Sequence, residues 1–435
     1  MAAGRMFASR YLRGVRVIDQ IQAIRNQTER QVAHWTLAVA RLKLDDLASP
    51  ETWNHLERYL GMSLRRHLAG VIDRLRSEAD ALTALQRAAQ TATALAEVNR
   101  KLLALRRQYL RTETTLVFFA DAINTRTNAE LTALLRACDT LAYRSMAQLL
   151  DQLGKTTPVV LTYVDKGLGA SILKAGLRLW DGGGVNPVAA IKIVRHNLLR
   201  PTALIHEAGH QVAHITGWNE ELASAFSHGI GGGASELADV WAGWASEIAA
   251  DAFAFVHTGF ASVAALHDVL AGDLSAVFRY SPGDPHPISY LRVLLGVEMC
   301  GYFYGAGPWD GLALSWTALH TVEQAPSDTR AIAEASRLIL KAVVRLTLDT
   351  PMRAFSGRPL RALIQPERVS PVALNELNER IGPALFTSAH WLWTEPLRIL
   401  ALTGLQLASR PRDLNDILLL QEQSMLRLGG ALQAA

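Results

Sequence analysis

Residues 206–210 read His206-Glu207-Ala208-Gly209-His210, which matches the pattern H-E-x-x-H. On a helix, positions i and i+4 lie on one face, so the two histidines can bind one metal ion together. Glu207 stands beside them, where its carboxylate can act as a general base on a water molecule. The flanking residues predict a helix that begins near Pro201 and ends near Gly217. The stretch therefore predicts a helical metal site.

A catalytic zinc usually has three protein ligands, so a third ligand is expected elsewhere in the chain. The metzincin continuation of the motif is excluded, because Ala213 and Thr216 occupy the positions of its Gly and His. His214 lies one turn past the motif, but three histidines at this spacing drift around the helix. Glu247 is the better candidate, on a second helix predicted over residues 235–257. Asp251, one turn further on, can accept a proton from the second nitrogen of a ligand histidine.

H-E-x-x-H is followed by E-x-x-A-D at residues 247–251 and by H-P-x-x-x-x-R at residues 286–292. Three motifs in this order resemble the gluzincin metallopeptidases, and most closely the HtpX and CAAX-prenyl-endopeptidase type. The resemblance covers residues 158–300. It implies a Zn²⁺ ion held by His206, His210 and Glu247. It also implies that His286 stabilises the negative charge developing on the substrate and that Arg292 braces the site.

The pattern of elements predicts a mainly α protein with a small mixed β-sheet. Residues 158–165 and 188–194 read as strands ahead of the motif helix, which is typical of a zincin, where an edge strand can pair with an extended peptide. We expect three parts: a basic helical bundle or coiled-coil hairpin over 1–153, a zincin-like core over 154–308, and a C-terminal helical region over 309–435.

The N-terminal part is predicted to be helical throughout. Residues 62–111 have few helix breakers and could form one helix of about 75 Å at ~1.5 Å per residue. Residues 10–44 and 126–152 read as amphipathic helices that pack back on it, and the Arg-rich start reads as a helical arm. Residues 1–120 hold 19 Lys and Arg against 11 Asp and Glu. We interpret this excess as solvated helix surface. Binding to an acidic protein partner, an anionic membrane or nucleic acid is the alternative, although no specific nucleic-acid motif is present.

The amino-acid composition limits the classes of protein to which this chain can belong. Apolar residues make up 49% of the 435 residues and charged residues 19%, which favours a large folded core over disorder. No apolar run is long enough to cross a bilayer. The two cysteines, Cys138 and Cys300, cannot form a disulfide framework and fit a reducing cytoplasm. Arg far outnumbers Lys, which indicates a GC-rich, bacterial genome.

These observations favour a zinc-dependent endopeptidase that acts on a protein or peptide. Two alternatives stay open. One is a zinc hydrolase of a non-peptide amide or ester that uses the same site. The other is a helical scaffold or partner-binding protein whose metal site is vestigial or structural, although a structural site has no need of the base Glu207. The sequence does not indicate the oligomeric state.

Overall fold

The computed structural model describes residues 20–167, 169–176, 185–230 and 235–431. The predicted fold class is confirmed, because the described residues are mainly α-helical with a small mixed sheet. The predicted N-terminal helical arm lies outside the described residues. No helix in the described ranges is both long and apolar enough to span a membrane.

The helices from the start of the described chain to the first strand are α1 (Gln20–Ala40), α2 (Pro50–Leu60), α3 (Leu64–Ala88), α4 (Ala92–Asn124) and α5 (Ala129–Leu150). The strands are β1 (Val159–Val164), β2 (Ser171–Leu173) and β3 (Val188–Ile193). The helices that follow, up to the middle of the second half, are α6 (Thr202–Thr216), α7 (Trp218–Gly229), α8 (Glu236–Gly243), α9 (Ala245–Thr258), α10 (Phe260–Leu270), α11 (Leu274–Val277) and α12 (Ser289–Tyr304). The remaining helices are α13 (Pro308–Leu319), α14 (Ser327–Arg337), α15 (Leu340–Leu348), α16 (Leu360–Leu363), α17 (Pro371–Ile381), α18 (Ala384–Thr387), α19 (Ala389–Thr394), α20 (Pro396–Ser409) and α21 (Leu414–Ala431).

The chain divides into two compact units. The first runs to Ala120, and the second comprises Asp121–Leu177 and Asn186–Ala435. The predicted divisions at 153/154 and 308/309 do not coincide with these units. Helix α5, assigned by its sequence to the N-terminal bundle, packs in the second unit against β1, α6 and α21. It is buried along most of its length, as expected for a helix inside a large core.

The first unit has its own apolar core, built from α1, α3 and α4. The buried side chains are Val32, Val39, Leu75, Ala79, Leu82, Ala89, Leu95, Val98, Leu102 and Leu105. The predicted single helix over residues 62–111 is wrong, because α3 ends at Ala88 and α4 begins at Ala92. Ala89 adopts an extended backbone, and its carbonyl accepts a hydrogen bond from Arg25. The Thr91 hydroxyl accepts the N–H of Ala94 and so caps the next helix.

The three-stranded sheet of the described residues has the order β1-β3-β2. Strands β1 and β3 are parallel, with Val159 opposite Val188, and both were predicted. Strand β2 pairs antiparallel with β3 and leaves its other side at the edge of the sheet. Its three residues are too few to show a strand pattern, which is why the sequence did not predict it. The sheet thus offers an edge next to the motif helix α6.

The predicted second helix over residues 235–257 forms as two helices. Helix α8 ends at Gly243 and α9 begins at Ala245. Trp244 separates them, with a backbone at φ −92° and ψ −1° and an indole ring packed on Trp241 and Tyr280. After this break, α9 lies directly against α6.

Candidate metal centre

Three side chains from two helices converge on one point. His206 and His210 lie one turn apart on α6, and their ring centroids are 4.8 Å apart. Their Nε2 atoms lie 3.4 and 3.2 Å from the carboxylate oxygens of Glu247 on α9. One donor atom from each of the three residues lies within 4.8 Å of the others. The structure therefore brings the three predicted ligands into a cluster that can hold a metal ion.

A close contact between the two helices makes this convergence possible. Gly209 on α6 faces Ala250 on α9, and a Cβ at position 209 would lie 2.9 Å from the Cα of Ala250. The same Cβ would lie 3.0 Å from the Cβ of Phe253. Only the hydrogen of glycine fits this space without moving a helix backbone. The helix separation that carries Glu247 to the histidines thus depends on Gly209.

Asp251 lies beside the second nitrogen of His206, the atom to which the sequence analysis assigns it. The Nδ1 atom of His206 lies 2.9 Å from Asp251 Oδ1, with the ring tilted away from a straight N–H···O line. This contact directs Nε2 towards Glu247. Burial lowers the pKa of His206, but the carboxylates of Asp251 and then Glu247 outweigh burial and raise this pKa to about 10. A cation that binds Nε2 would therefore have to displace a proton.

Arg292 on α12 joins the two carboxylates of α9. Its Nε donates to Asp251 Oδ2 at 2.6 Å, and Nη2 donates to Asp251 Oδ1 at 2.8 Å and to Glu247 Oε2 at 3.0 Å. Burial opposes ionisation of both carboxyl groups. The histidine hydrogen bonds to Glu247, and the charge of Arg292 on Asp251, nevertheless hold both pKa values below their usual range. The carboxylates of Glu207, Glu247 and Asp251 outnumber the guanidinium and the protonated His206 ring, and the excess negative charge suits a divalent cation that displaces the proton.

Glu207 differs from the other acids of the cluster because no hydrogen bond engages its carboxylate. Its side chain is only 7% exposed and lines the same cleft as the histidines. It makes no hydrogen bond or ion pair within the described parts of the chain. A buried carboxylate without a hydrogen-bonded protein partner remains free to bind and deprotonate a water molecule.

His286 lies at the mouth of the cleft rather than deep within it. Its side chain is 60% exposed, and its Nε2 lies 3.8 Å from Glu247 Oε1. The Nδ1 atom lies 2.7 Å from Asp284 Oδ1, and the backbone N–H of His286 donates to the same oxygen. Both hydrogen bonds lower the pKa of Asp284, and the hydrogen bond from the backbone has the larger effect. Asp284 thus orients His286 with Nε2 towards the cleft.

The cleft itself encloses about 470 Å³ and has two different walls. One wall contains the metal cluster, the edge strand β2 and Lys174, whose pKa is lowered by burial. The buried Gln211 of α6 fastens the end of this edge segment, because its side-chain amide forms a pair of hydrogen bonds with the backbone of Ala175. The other wall is apolar and comes from α10 and α12, with the side chains Val263, Leu266, Val269, Leu270, Leu295 and Met299.

Sequence reasoning missed three polar residues of this site. Asp284 stands two residues before His286, and an Asp at this spacing in a Pro-rich loop is a signal for a side-chain-capped turn. Ser246, whose Oγ lies 3.4 Å from His210 Nδ1, precedes the predicted ligand Glu247 but belongs to no motif. Lys174 carries no sequence signal, because only the path of β2 places it at the cleft.

No family model matches this chain, and no curated protein or solved structure matches it.

Proposed function

We propose that this protein is a zinc-dependent endopeptidase of gluzincin type. The observation that carries the proposal is the cluster of His206, His210 and Glu247 beside the unpaired carboxylate of Glu207. Two imidazole nitrogens and one carboxylate oxygen form a donor set that zinc favours, and three protein ligands leave a position open, as in catalytic sites. A structural zinc site is usually closed by a fourth protein ligand and has no use for a free base.

Each side chain then has a defined part in hydrolysis. When bound, Zn²⁺ supplies Lewis-acid chemistry, which polarises a carbonyl and lowers the pKa of water to about 7. Glu207 takes a proton from the attacking water and passes it to the leaving amine. Asp251 and Arg292 hold His206 and Glu247 in position. The Nε2 atom of His286 can donate a hydrogen bond to the substrate oxygen on which negative charge develops. This donation requires a proton on both ring nitrogens, because Nδ1 already faces Asp284.

The edge strand supports a peptide as the substrate. Strand β2 pairs only with β3 among the described strands, and Ser171 and Ile172 line the cleft. Its free backbone groups can pair with an extended chain, which is a common mode of peptide recognition. We place the activity in the cytoplasm, since Cys138 and Cys300 are both buried free thiols.

Zinc content tests the proposal directly. We expect the purified protein to hold one zinc ion per chain, and Glu247→Ala to bind zinc at least about tenfold more weakly, because it removes one of three ligands. Metal analysis and competition with a chelator measure both quantities. A casein or peptide-library assay of the wild type then tests for cleavage. A wild type without metal, or a Glu247→Ala variant that retains zinc as tightly, would contradict the proposed site.

The apolar wall of the cleft predicts a cleavage preference. We expect peptides with Leu, Phe or Met next to the scissile bond to be cleaved at least about tenfold faster than peptides with Asp or Lys there, as apolar subsites usually discriminate. Leu266→Glu should remove this preference, because it places a charge on that wall. Leu338→Glu is the matched control, since Leu338 is 87% exposed and lies outside the cleft. Equal cleavage of both peptide sets by the wild type would contradict the prediction.

A further inference from the structure

A second cavity lies within the second unit, beside the C-terminal end of α9. It encloses about 520 Å³ and shares no lining residue with the metal cleft. This volume falls within the range of small-molecule sites, about 300–1,000 Å³. Its wall contains Arg144, Arg368 and Arg398, against the carboxylates of Asp151 and Glu395. The charge of the wall therefore favours a negatively charged ligand.

The arginines of this cavity have donors to spare. The Oε2 atom of Glu395 lies 3.5 Å from Arg368 Nη2 and 3.7 Å from Arg398 Nη1, so one carboxylate serves two guanidinium groups at long distance. Arg398 is held in place by hydrogen bonds from its Nε and Nη2 to the backbone oxygens of Arg368 and Ala373. Burial lowers the pKa of Arg398; the charge of Glu395 opposes this shift, whereas the charges of Arg368 and Arg380 add to it.

The start of helix α20 adds backbone donors to the same wall. Residues 394–398 line the cavity, and Leu397 and Arg398 occupy the first turn of this 14-residue helix. In the described chain, their N–H groups have no backbone acceptor, and no side chain caps the helix. Free N–H groups and the helix dipole together attract anions.

A buried histidine gives the cavity an acceptor as well. His257 lines the cavity and is only 2% exposed. It donates a hydrogen bond to the backbone oxygen of Ser145, while its Nε2 has no partner among the described residues. Burial, and then the charge of Arg368, lower the pKa of His257 to about 3, so the ring is neutral at physiological pH. The lone pair of Nε2 therefore needs a proton donor, and the described part of the protein supplies none.

We propose that this cavity binds a small molecule through a phosphate group that still carries a proton. The phosphate oxygens would accept hydrogen bonds from the arginines and from the N–H groups of α20, and the P–O–H group would donate to His257 Nε2. Sulfate has a similar shape and charge but carries no proton at neutral pH, so it cannot satisfy the histidine. The site is therefore expected to select phosphate over sulfate.

Equilibrium dialysis of labelled inorganic phosphate against the zinc-loaded full chain, at constant ionic strength, tests this proposal. We expect one saturable site per chain, and at least tenfold weaker competition by sulfate than by unlabelled phosphate. Arg144→Gln should weaken binding at least tenfold, whereas Arg337→Gln, the same charge change at an exposed residue outside the cavity, should not. Glycerol 3-phosphate in the same assay distinguishes a phosphate ester from free phosphate as the tighter ligand.

Two variants distinguish this cavity from phosphate binding elsewhere on the chain. Arg144 lies over the ring of Trp393, which is 45% exposed and is therefore not part of the buried core. Replacing Arg144 is thus expected to leave the core intact. Phosphate bound at the metal cleft would be unaffected by Arg144→Gln, and equal binding by that variant and the wild type would overturn the proposal. His257→Leu should abolish the preference over sulfate. The absence of saturable phosphate binding, or equal affinity for sulfate in the wild type, would also overturn it.

Discussion

Replacing Glu207 with glutamine is expected to lower peptide cleavage by about 10²–10⁴-fold, the range typical of a lost general base, without loss of zinc. The amide keeps the size of the side chain but cannot take a proton from water. Glu207 lies outside the three-residue ligand cluster and makes no hydrogen bond or ion pair in the described chain, so the substitution leaves the ligand set and its hydrogen bonds in place. Measurement of kcat/KM together with zinc content per chain tests the two halves of this expectation.

Glu334→Gln is the matched control for this experiment, because Glu334 is exposed on α14 and lies outside the cleft. It should cleave peptides at the wild-type rate. If Glu207→Gln retained activity within a few-fold of the wild type, another group would have to be the base. If the variant lost zinc, Glu207 would belong to the ligand set and the assignment of roles would be wrong.

Replacing Arg292 with leucine is expected to lower the free energy of unfolding by about 3–5 kcal/mol when zinc is removed, the usual result of breaking a buried ion pair. The substitution leaves Glu247 and Asp251 without the guanidinium that donates to both carboxylates. Zinc should restore part of this stability, because a divalent cation at the cluster again offsets the negative charge. Urea unfolding of the variant and the wild type, once with a chelator and once with added zinc, measures the loss of unfolding free energy in each condition.

Arg337→Leu removes an exposed arginine and serves as the control, with an expected change below about 0.5 kcal/mol. A loss of less than about 1 kcal/mol in Arg292→Leu would show that the buried carboxylates do not need this partner. An equal loss with and without zinc would show that Arg292 acts through packing and not through the charge of the cluster.

The local part of the site was predictable because helical periodicity alone determines it. The spacing of His206 and His210 places both on one face of α6, and the spacing of Glu247 and Asp251 does the same on α9. The approach of the two helices was not predictable, since it depends on which faces bury each other. The position of Lys174 was likewise unpredictable, because only the path of β2 places it at the cleft.

The helix ends show a similar limit. Composition favours a continuous helix over residues 62–111, but a single capping hydroxyl at Thr91 and one arginine on the Ala89 carbonyl stop and restart it. Apolar patterning identified α5 as a helix but not the unit in which it is buried, because a largely buried helix can pack in any large core. The proposed phosphate site matches no sequence motif, since its residues are separated by more than half the chain.

The contact between Gly209 and Ala250 restricts which residues the two motifs can contain. In H-E-x-x-H the second variable position is chemically free, yet here it must be glycine. The alanine of E-x-x-A-D is the residue that this glycine touches. The two small residues therefore form one complementary pair, and a larger residue in either motif would demand a compensating change in the other. The two motifs are therefore expected to change together, because their small residues must remain complementary in shape.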